Sequence, residues 1–353
     1  MAELMKYLEK AVSLKASDLF IVAGAPVSCK INGVLSPIDE QKKLPPDTEG
    51  LLTELYSLAQ RDMSGFLKSG DDDFSFAVAG LARFRVSAYR QRGSLAATCR
   101  VVSFTIPSYQ ELGIPEEIMK LSDVRGGLIL FTGPAGSGKS TTQACLIDRI
   151  NHTHNCHIIT LEDPIEFLHR NDKSIVSQRE ISIDTADCLS ALRACLRQSP
   201  DVILLGEMRD ADTIHTAMTA AETGHTVIAT LHTRGTANSI DRIIDAFPAS
   251  QQGQIRVQLA SVLHTVVSQQ LIPNKAGTMS PAFEIMHTNS AIKTLIRDGK
   301  THQLPASIAS FGAEGMISMD QSIIALYESE KISVDAAIGS ADNPELVQRR
   351  IKG

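Results

Sequence analysis

Tryptophan is missing from this 353-residue chain, and aromatic residues of all kinds make up only 5% of it. The interior must therefore be aliphatic, and stacked nucleic-acid bases would find few aromatic platforms. A basic excess is missing too: 34 Lys and Arg stand against 40 Asp and Glu, a formal charge of −6. General binders of the phosphate backbone are basic, so no direct nucleic-acid partner is expected. No run approaches the about 18 to 20 apolar residues needed to span a bilayer, so no transmembrane segment is expected. The first residues carry charge at Glu3, Lys6, Glu9 and Lys10 in place of an apolar signal region, and the expected location is cytoplasmic. Six cysteines form no CxxC pair, which points to reduced thiols and away from a metal finger. What is present, 43% hydrophobic and 21% charged residues, suffices for a core in a chain of two or three domains.

Residues 1–105 mix a helix (Met1–Leu14), a second helix (Thr48–Gln60) and strand-like runs at Asp18–Val22, Ser28–Ile31, Phe74–Val78, Ala82–Tyr89 and Ala96–Val102. Turn signals such as Ile31-Asn32-Gly33 separate them, which predicts a small α+β domain with an antiparallel sheet. Asp71-Asp72-Asp73 reads as a solvated turn. Residues 106–125, with Pro107 and Pro115, read as a linker. From 126 to 288 short apolar runs (Gly127–Thr132, His157–Leu161, Val202–Leu205, Thr226–Leu231) alternate with helical stretches, the mark of a parallel sheet with crossover helices. Apolar spacing over Ser250–Leu271 predicts one long helix, and residues 289–353 read as a helical tail.

Gly133-Pro134-Ala135-Gly136-Ser137-Gly138-Lys139-Ser140 fits GxxxxGK[ST] at every position, between an expected strand and an expected helix. Glycines let backbone N–H groups converge on phosphates at a helix N-terminus. Lys139 suits the β and γ phosphates of ATP, and the Ser140 hydroxyl suits Mg²⁺. Pro134, Ala135, Gly136, Ser137, Gly138, Lys139, Ser140 and Thr141 are the expected ATP contacts.

Hydrolysis needs a group to orient or deprotonate water. Glu162 and Glu207 each follow a strand-like run, at the end where ligands bind in open α/β sheets. Acids there can also cap the next helix. Glu207 follows Gly206, which departs from the usual pattern of an Asp directly after the apolar run. His225 and His232 bracket Thr226–Leu231, and a histidine at the strand's carboxyl end can sense the γ-phosphate. His152, His154, Cys156 and His157 cluster without zinc-site spacing and read as a surface loop.

Together these motifs resemble those of the type II/IV secretion ATPase superfamily, specifically its twitching-motility pilus retraction ATPases. Gly133–Ser140 matches the family's Walker A, and Ile159-Thr160-Leu161-Glu162-Asp163-Pro164-Ile165-Glu166 its Asp box. Leu205-Gly206-Glu207-Met208-Arg209-Asp210 resembles its atypical Walker B, and Gly224-His225-Thr226 through His232-Thr233 its His box. The similarity extends to Ala16-Ser17-Asp18-Leu19, Arg83-Phe84-Arg85-Val86 and Ala291–Asp298. The resemblance implies a PAS-like domain (1–105), a RecA-like P-loop ATPase domain (126–288) and a small helical tail, working as a homohexamer with ATP between the two domains. It implies Glu162 as general base, Glu207 with Ser140 as the Mg²⁺ site, His232 at the γ-phosphate, His225 among the ATP contacts, and Arg85 and Arg100 as catalytic fingers. The implied activity is ATP hydrolysis powering pilus retraction, by peripheral association with an inner-membrane platform protein at the inner face of the cytoplasmic membrane. The alternatives are an accessory retraction paralogue or related secretion ATPase, or a nucleotide-binding scaffold without turnover. Phe20 replaces a family His, and Lys293-Thr294 replaces Arg-Asn.

Overall fold

The computed structural model describes residues 2–31, 33–102 and 105–352. Asn32, in the expected turn at 31–33, lies outside them, as do Met1, Ser103, Phe104 and Gly353. The chain divides into two compact units, residues 1–105 with 166–168 and residues 106–165 with 169–353.

The first unit contains helices α1 (Ala2–Ser13), α2 (Pro45–Leu58) and α3 (Ser64–Ser69). Its strands are β1 (Asp18–Ile21), β2 (Pro26–Ile31), β3 (Val34–Lys42), β4 (Asp71–Val78), β5 (Ala82–Gln91) and β6 (Ser94–Val102). They form an antiparallel sheet in the order β3-β2-β1-β6-β5-β4. Burial alternates along β5, where Phe84, Val86 and Ala88 are covered and Arg85 and Ser87 are exposed. The covered face shares a core with Leu4, Leu8, Leu51 and Leu55 of α1 and α2, the usual outcome when one face of an antiparallel sheet meets helices. Asp71–Asp73 are not a turn but the first residues of β4. Asp72 is held there by Tyr56 Oη at 2.9 Å and by Arg61 Nε and Nη2 at 2.9 and 2.8 Å.

In the second unit the strands are β7 (Gly127–Thr132), β8 (His157–Glu162), β9 (Ile175–Glu180), β10 (Val202–Leu205), β11 (Thr226–Leu231), β12 (Leu263–Pro273) and β13 (Met279–His287). They lie in the order β13-β12-β7-β11-β10-β8-β9, and only the β12–β13 pairing is antiparallel. Its helices begin with α4 (Glu116–Met119), α5 (Lys139–Thr153), α6 (Cys188–Cys195), α7 (Ala211–Glu222), α8 (Thr236–Asp245) and α9 (Ala249–Val262). They continue with α10 (Ser290–Arg297), α11 (Leu304–Ser310), α12 (Met319–Glu328), α13 (Val334–Ser340) and α14 (Pro344–Lys352).

Both sheet faces are covered, so β7 and β11 read as near-continuous apolar runs whose alternate residues go to different cores. Leu128 and Leu130 join the core that includes residues of α6 to α9, whereas Ile129 and Phe131 join that of α4 and α5. Residues 114–121 also enter this second core, with Ile118 and Met119 fully buried.

The long helix expected over Ser250–Leu271 is two elements. α9 ends at Val262, Leu263 is extended (φ −65°, ψ 121°), and the chain continues directly as β12. Sheet pairing on both sides, to β7 and β13, wins over helical spacing in a segment containing β-branched Thr265, Val266 and Val267.

Candidate nucleotide site

β7 delivers Thr132 to the carboxyl edge of the sheet, and the loop 133–138 carries the chain into α5. Gly133 (φ 143°), Gly136 (φ 76°) and Gly138 (φ 86°) hold conformations that side chains resist. At Gly133 and Gly138 a side chain would also be crowded. A Cβ on Gly133 would meet the Gln269 carbonyl oxygen at 2.2 Å, and one on Gly138 would meet Gln269 Nε2 at 2.8 Å. Gln269, on β12, thus forms the floor of the loop, and its Oε1 accepts a 2.9 Å hydrogen bond from Thr142 of α5. Gln143, also on α5, exchanges hydrogen bonds of 3.0 and 3.2 Å with Thr230 of β11.

Lys139 is buried, and its Nζ donates to the carbonyls of Gly133 and Pro134, both at 2.8 Å. The hydroxyls of Thr132 and Ser137 are buried with no hydrogen-bond partner among the described residues. A buried cation and two unsatisfied hydroxyls at a helix N-terminus suit a polyanion such as a nucleotide phosphate chain. Pro134, Ala135, Gly136 and Ser140 are exposed, and Thr141 is half-buried.

Glu162 closes β8. Its Oε1 accepts from Thr160 Oγ1 at 2.6 Å and from Gln178 Nε2, on β9, at 3.2 Å. The Gln178 side-chain oxygen is in turn fixed by the His169 N–H at 2.8 Å. Next door, β10 leaves the sheet through Gly206, whose N–H bonds Leu161 O at 2.8 Å. A Cβ there would stand 3.2 Å from Leu161 O and 3.4 Å from Glu162 Cα, which gives the unusual glycine before Glu207 a steric reason. Glu207 accepts from Arg209 Nε at 2.6 Å, and its other oxygen lies 3.6 Å from His232 Nε2. His232 follows Leu231, the register partner of Thr132, so Glu207 and His232 meet at the loop's edge of the sheet. The exposed hydroxyl of Ser140 and the carboxylate of Glu207 are hard oxygen donors of the kind Mg²⁺ takes.

His225 departs from expectation. It precedes β11, and its carbonyl bonds the N–H of Gly127 at the opposite edge of the sheet. Six strand residues separate it from His232, a span of about 20 Å. Its ring instead contacts Ala220 O and Thr223 Oγ1 behind α7, at 3.0 and 3.1 Å. It therefore has no place among the phosphate contacts of this chain.

In the first unit Arg85 and Arg100 are direct cross-strand partners on β5 and β6, both exposed. Arg100 Nε bonds Asp18 Oδ1 at 3.0 Å. Like charges directly opposite one another repel, an arrangement that an external anion relieves.

Gln178 and Gln269 escaped the sequence reading. β9 is a polar edge strand with no periodic signal, and Gln269 lies in the segment read as helix. Thr160 was named only within the Asp box, although alternate residues of a strand share a face and so place it beside Glu162.

Comparison with known proteins agrees with this geometry. The model of the family described as type II/IV secretion system protein matches residues 1–291. The chain is 43% identical over 335 residues to the type IV pilus retractation ATPase PilT of Pseudomonas aeruginosa, covering 94% of this chain and 95% of that one. The type IV pilus ATPase PilU of the same organism is 37% identical over 352 residues, 99% of this chain and 91% of its own. A crystal structure of the pilus retraction motor PilT with bound ADP superposes with a TM-score of 0.88 at 42% identity, covering 99% of both chains. The antiparallel α+β unit, the P-loop sheet and the helical tail are therefore the architecture of that motor, and the chain belongs to the type II/IV secretion system protein family as a PilT-like ATPase.

Proposed function

We propose that this chain hydrolyses Mg-ATP to power retraction of type IV pili, as a homohexamer acting on an inner-membrane platform protein at the inner face of the cytoplasmic membrane. The observation that carries the reading is the convergence at one sheet edge of a buried lysine, unsatisfied buried hydroxyls and a carboxylate held by two donors. Loop amides, Lys139, and the Thr132 and Ser137 hydroxyls hold the triphosphate. Glu162 accepts the proton of the attacking water, and Thr160 and Gln178 fix its orientation. Ser140 and Glu207 hold Mg²⁺, which neutralises phosphate charge when bound. His232, steadied by Glu207, meets the terminal phosphate. Arg85 and Arg100 supply cationic charge as fingers that link hydrolysis to domain motion. Among the described residues no helix is long and apolar enough to cross a membrane.

Deleting the gene and restoring it as parent or as Lys139→Ala tests the reading. Excess surface pili without twitching in the deletion, rescued by the parent and not by Lys139→Ala, is the expected result. Absence of pili would instead assign extension. A second reading, the accessory paralogue, draws on Lys293-Thr294 in the tail and on similarity to PilU over nearly the whole chain. It requires that the chain restore twitching only where another retraction motor is present.

A further inference from the structure

Glu284 is a carboxylate in the middle of β13 with only 5% of its surface exposed, and nothing in the proposed chemistry uses it. Burying a charge of that kind is costly unless it is well solvated by donors. Its Oε1 accepts from the backbone N–H of Thr236 at 2.7 Å, the first residue of the ten-residue α8. The N-terminus of α8 thus faces this anion.

The α8 end is the other side of the turn that begins at His232. Gly235, at φ 82° and ψ 152°, makes the bend that lets the chain pass from β11 into α8. Its N–H bonds Ser268 Oγ on β12 at 3.1 Å, and Ser268 is the register partner of Glu284. Two adjacent polar residues of the β12–β13 pair therefore grip consecutive amides of the turn. Within it, Thr233 Oγ1 lies 2.7 Å from Ser239 Oγ, and Asn238 Nδ2 donates to Arg234 O at 2.9 Å, so the segment moves with α8. Burial, reinforced by nearby Asp342, raises the Glu284 carboxyl above the ordinary range, while the Thr236 donor opposes that shift.

We propose that Glu284 is a positioning residue for His232, anchoring the 232–236 turn so that the imidazole stays beside Glu207 at the phosphate edge. This rests on His232 acting at the terminal phosphate. The test combines steady-state ATP turnover with ADP titration on the full chain for the parent, Glu284→Ala, Glu284→Gln, His232→Ala and the Glu284→Ala/His232→Ala pair. Glu284→Ala should lower kcat by about tenfold while ADP affinity stays within about twofold, and Glu284→Gln, which keeps an acceptor oxygen, should recover to within about threefold of the parent. Paired with His232→Ala, it should slow turnover no further than His232→Ala alone. An equal loss in both backgrounds, or loss of ADP binding in step with kcat, overturns the proposal and leaves the role of His232 standing. Parental turnover in His232→Ala removes both. If Glu284→Ala does not fold, Thr236→Pro deletes the donor at a first helical position that tolerates proline. It should show the same drop in kcat, and an unchanged kcat overturns the proposal.

Discussion

In the antiparallel sheet of the first unit, Arg85 faces Arg100 on an exposed surface, where Arg100 pairs with Asp18. In the seven-stranded sheet every residue of β11 is buried, and the working groups stand only where strands end. The contrast is one of covering. A sheet wrapped on both faces leaves its carboxyl edge as the place where polar chemistry can meet solvent, and there Glu162 is seated by buried Thr160 and half-buried Gln178. A sheet open on one face can carry charge anywhere along it, at the expense of a fixed geometry. Losing a partner at the wrapped sheet's edge should therefore cost far more activity than losing a neighbour on the open face.

The largest effect expected from that contrast is at the seat of Glu162. Combining Thr160→Val with Gln178→Leu removes both donors to Oε1, and kcat should fall by about 10- to 100-fold at nearly unchanged KM, measured by phosphate release. A loss no larger than that of Ser87→Ala, on the exposed face of β5, would erase the distinction. Gly206→Ala comes next: its Cβ presses on Leu161 O and the Glu162 backbone, so unfolding should become easier by about 1–3 kcal/mol, read from denaturant midpoints, with a fall in kcat.

A smaller effect separates the units by pH. Burial, with the charge of His152 adding to it, lowers the His169 pKa from 6.5 to about 4. The folded state thus favours the neutral ring. Its contribution to stability is complete above pH 6.5 and is lost as pH falls toward 4. Thermal melts between pH 7 and 4 should show this slope in the parent and a shallower one in His169→Asn. The smallest effect is on the open face, where Arg100→Ala gives up an exposed pair worth about 0–1 kcal/mol and Arg85→Ala relieves repulsion. Differential scanning fluorimetry should find Arg85→Ala no less stable than the parent.

The same contrast governs how much the sequence revealed. β7, β10 and β11 were legible as short, predominantly apolar runs, and the glycine pattern at 133–138 marked the phosphate loop without reference to partners. β12 was hidden because α9 passes into it with no glycine or proline, so apolar spacing from Ile255 to Val267 continues across the change of structure. With β12 went Gln269, and with the polar edge strand β9 went Gln178. His225 stands away from the phosphate loop for a geometric reason available beforehand: the two ends of a six-residue strand lie on opposite edges of a sheet. The arginines of β5 and β6 were readable as a face, but their exact register, Arg85 against Arg100, follows from pairing that no local pattern encodes.

Nucleotide binding and turnover measured side by side for Glu162→Ala reach the central claim most directly. The account predicts ATP affinity within about threefold of the parent and single-turnover hydrolysis slower by about a thousandfold. Hydrolysis at the parental rate by a variant lacking that carboxylate would contradict it.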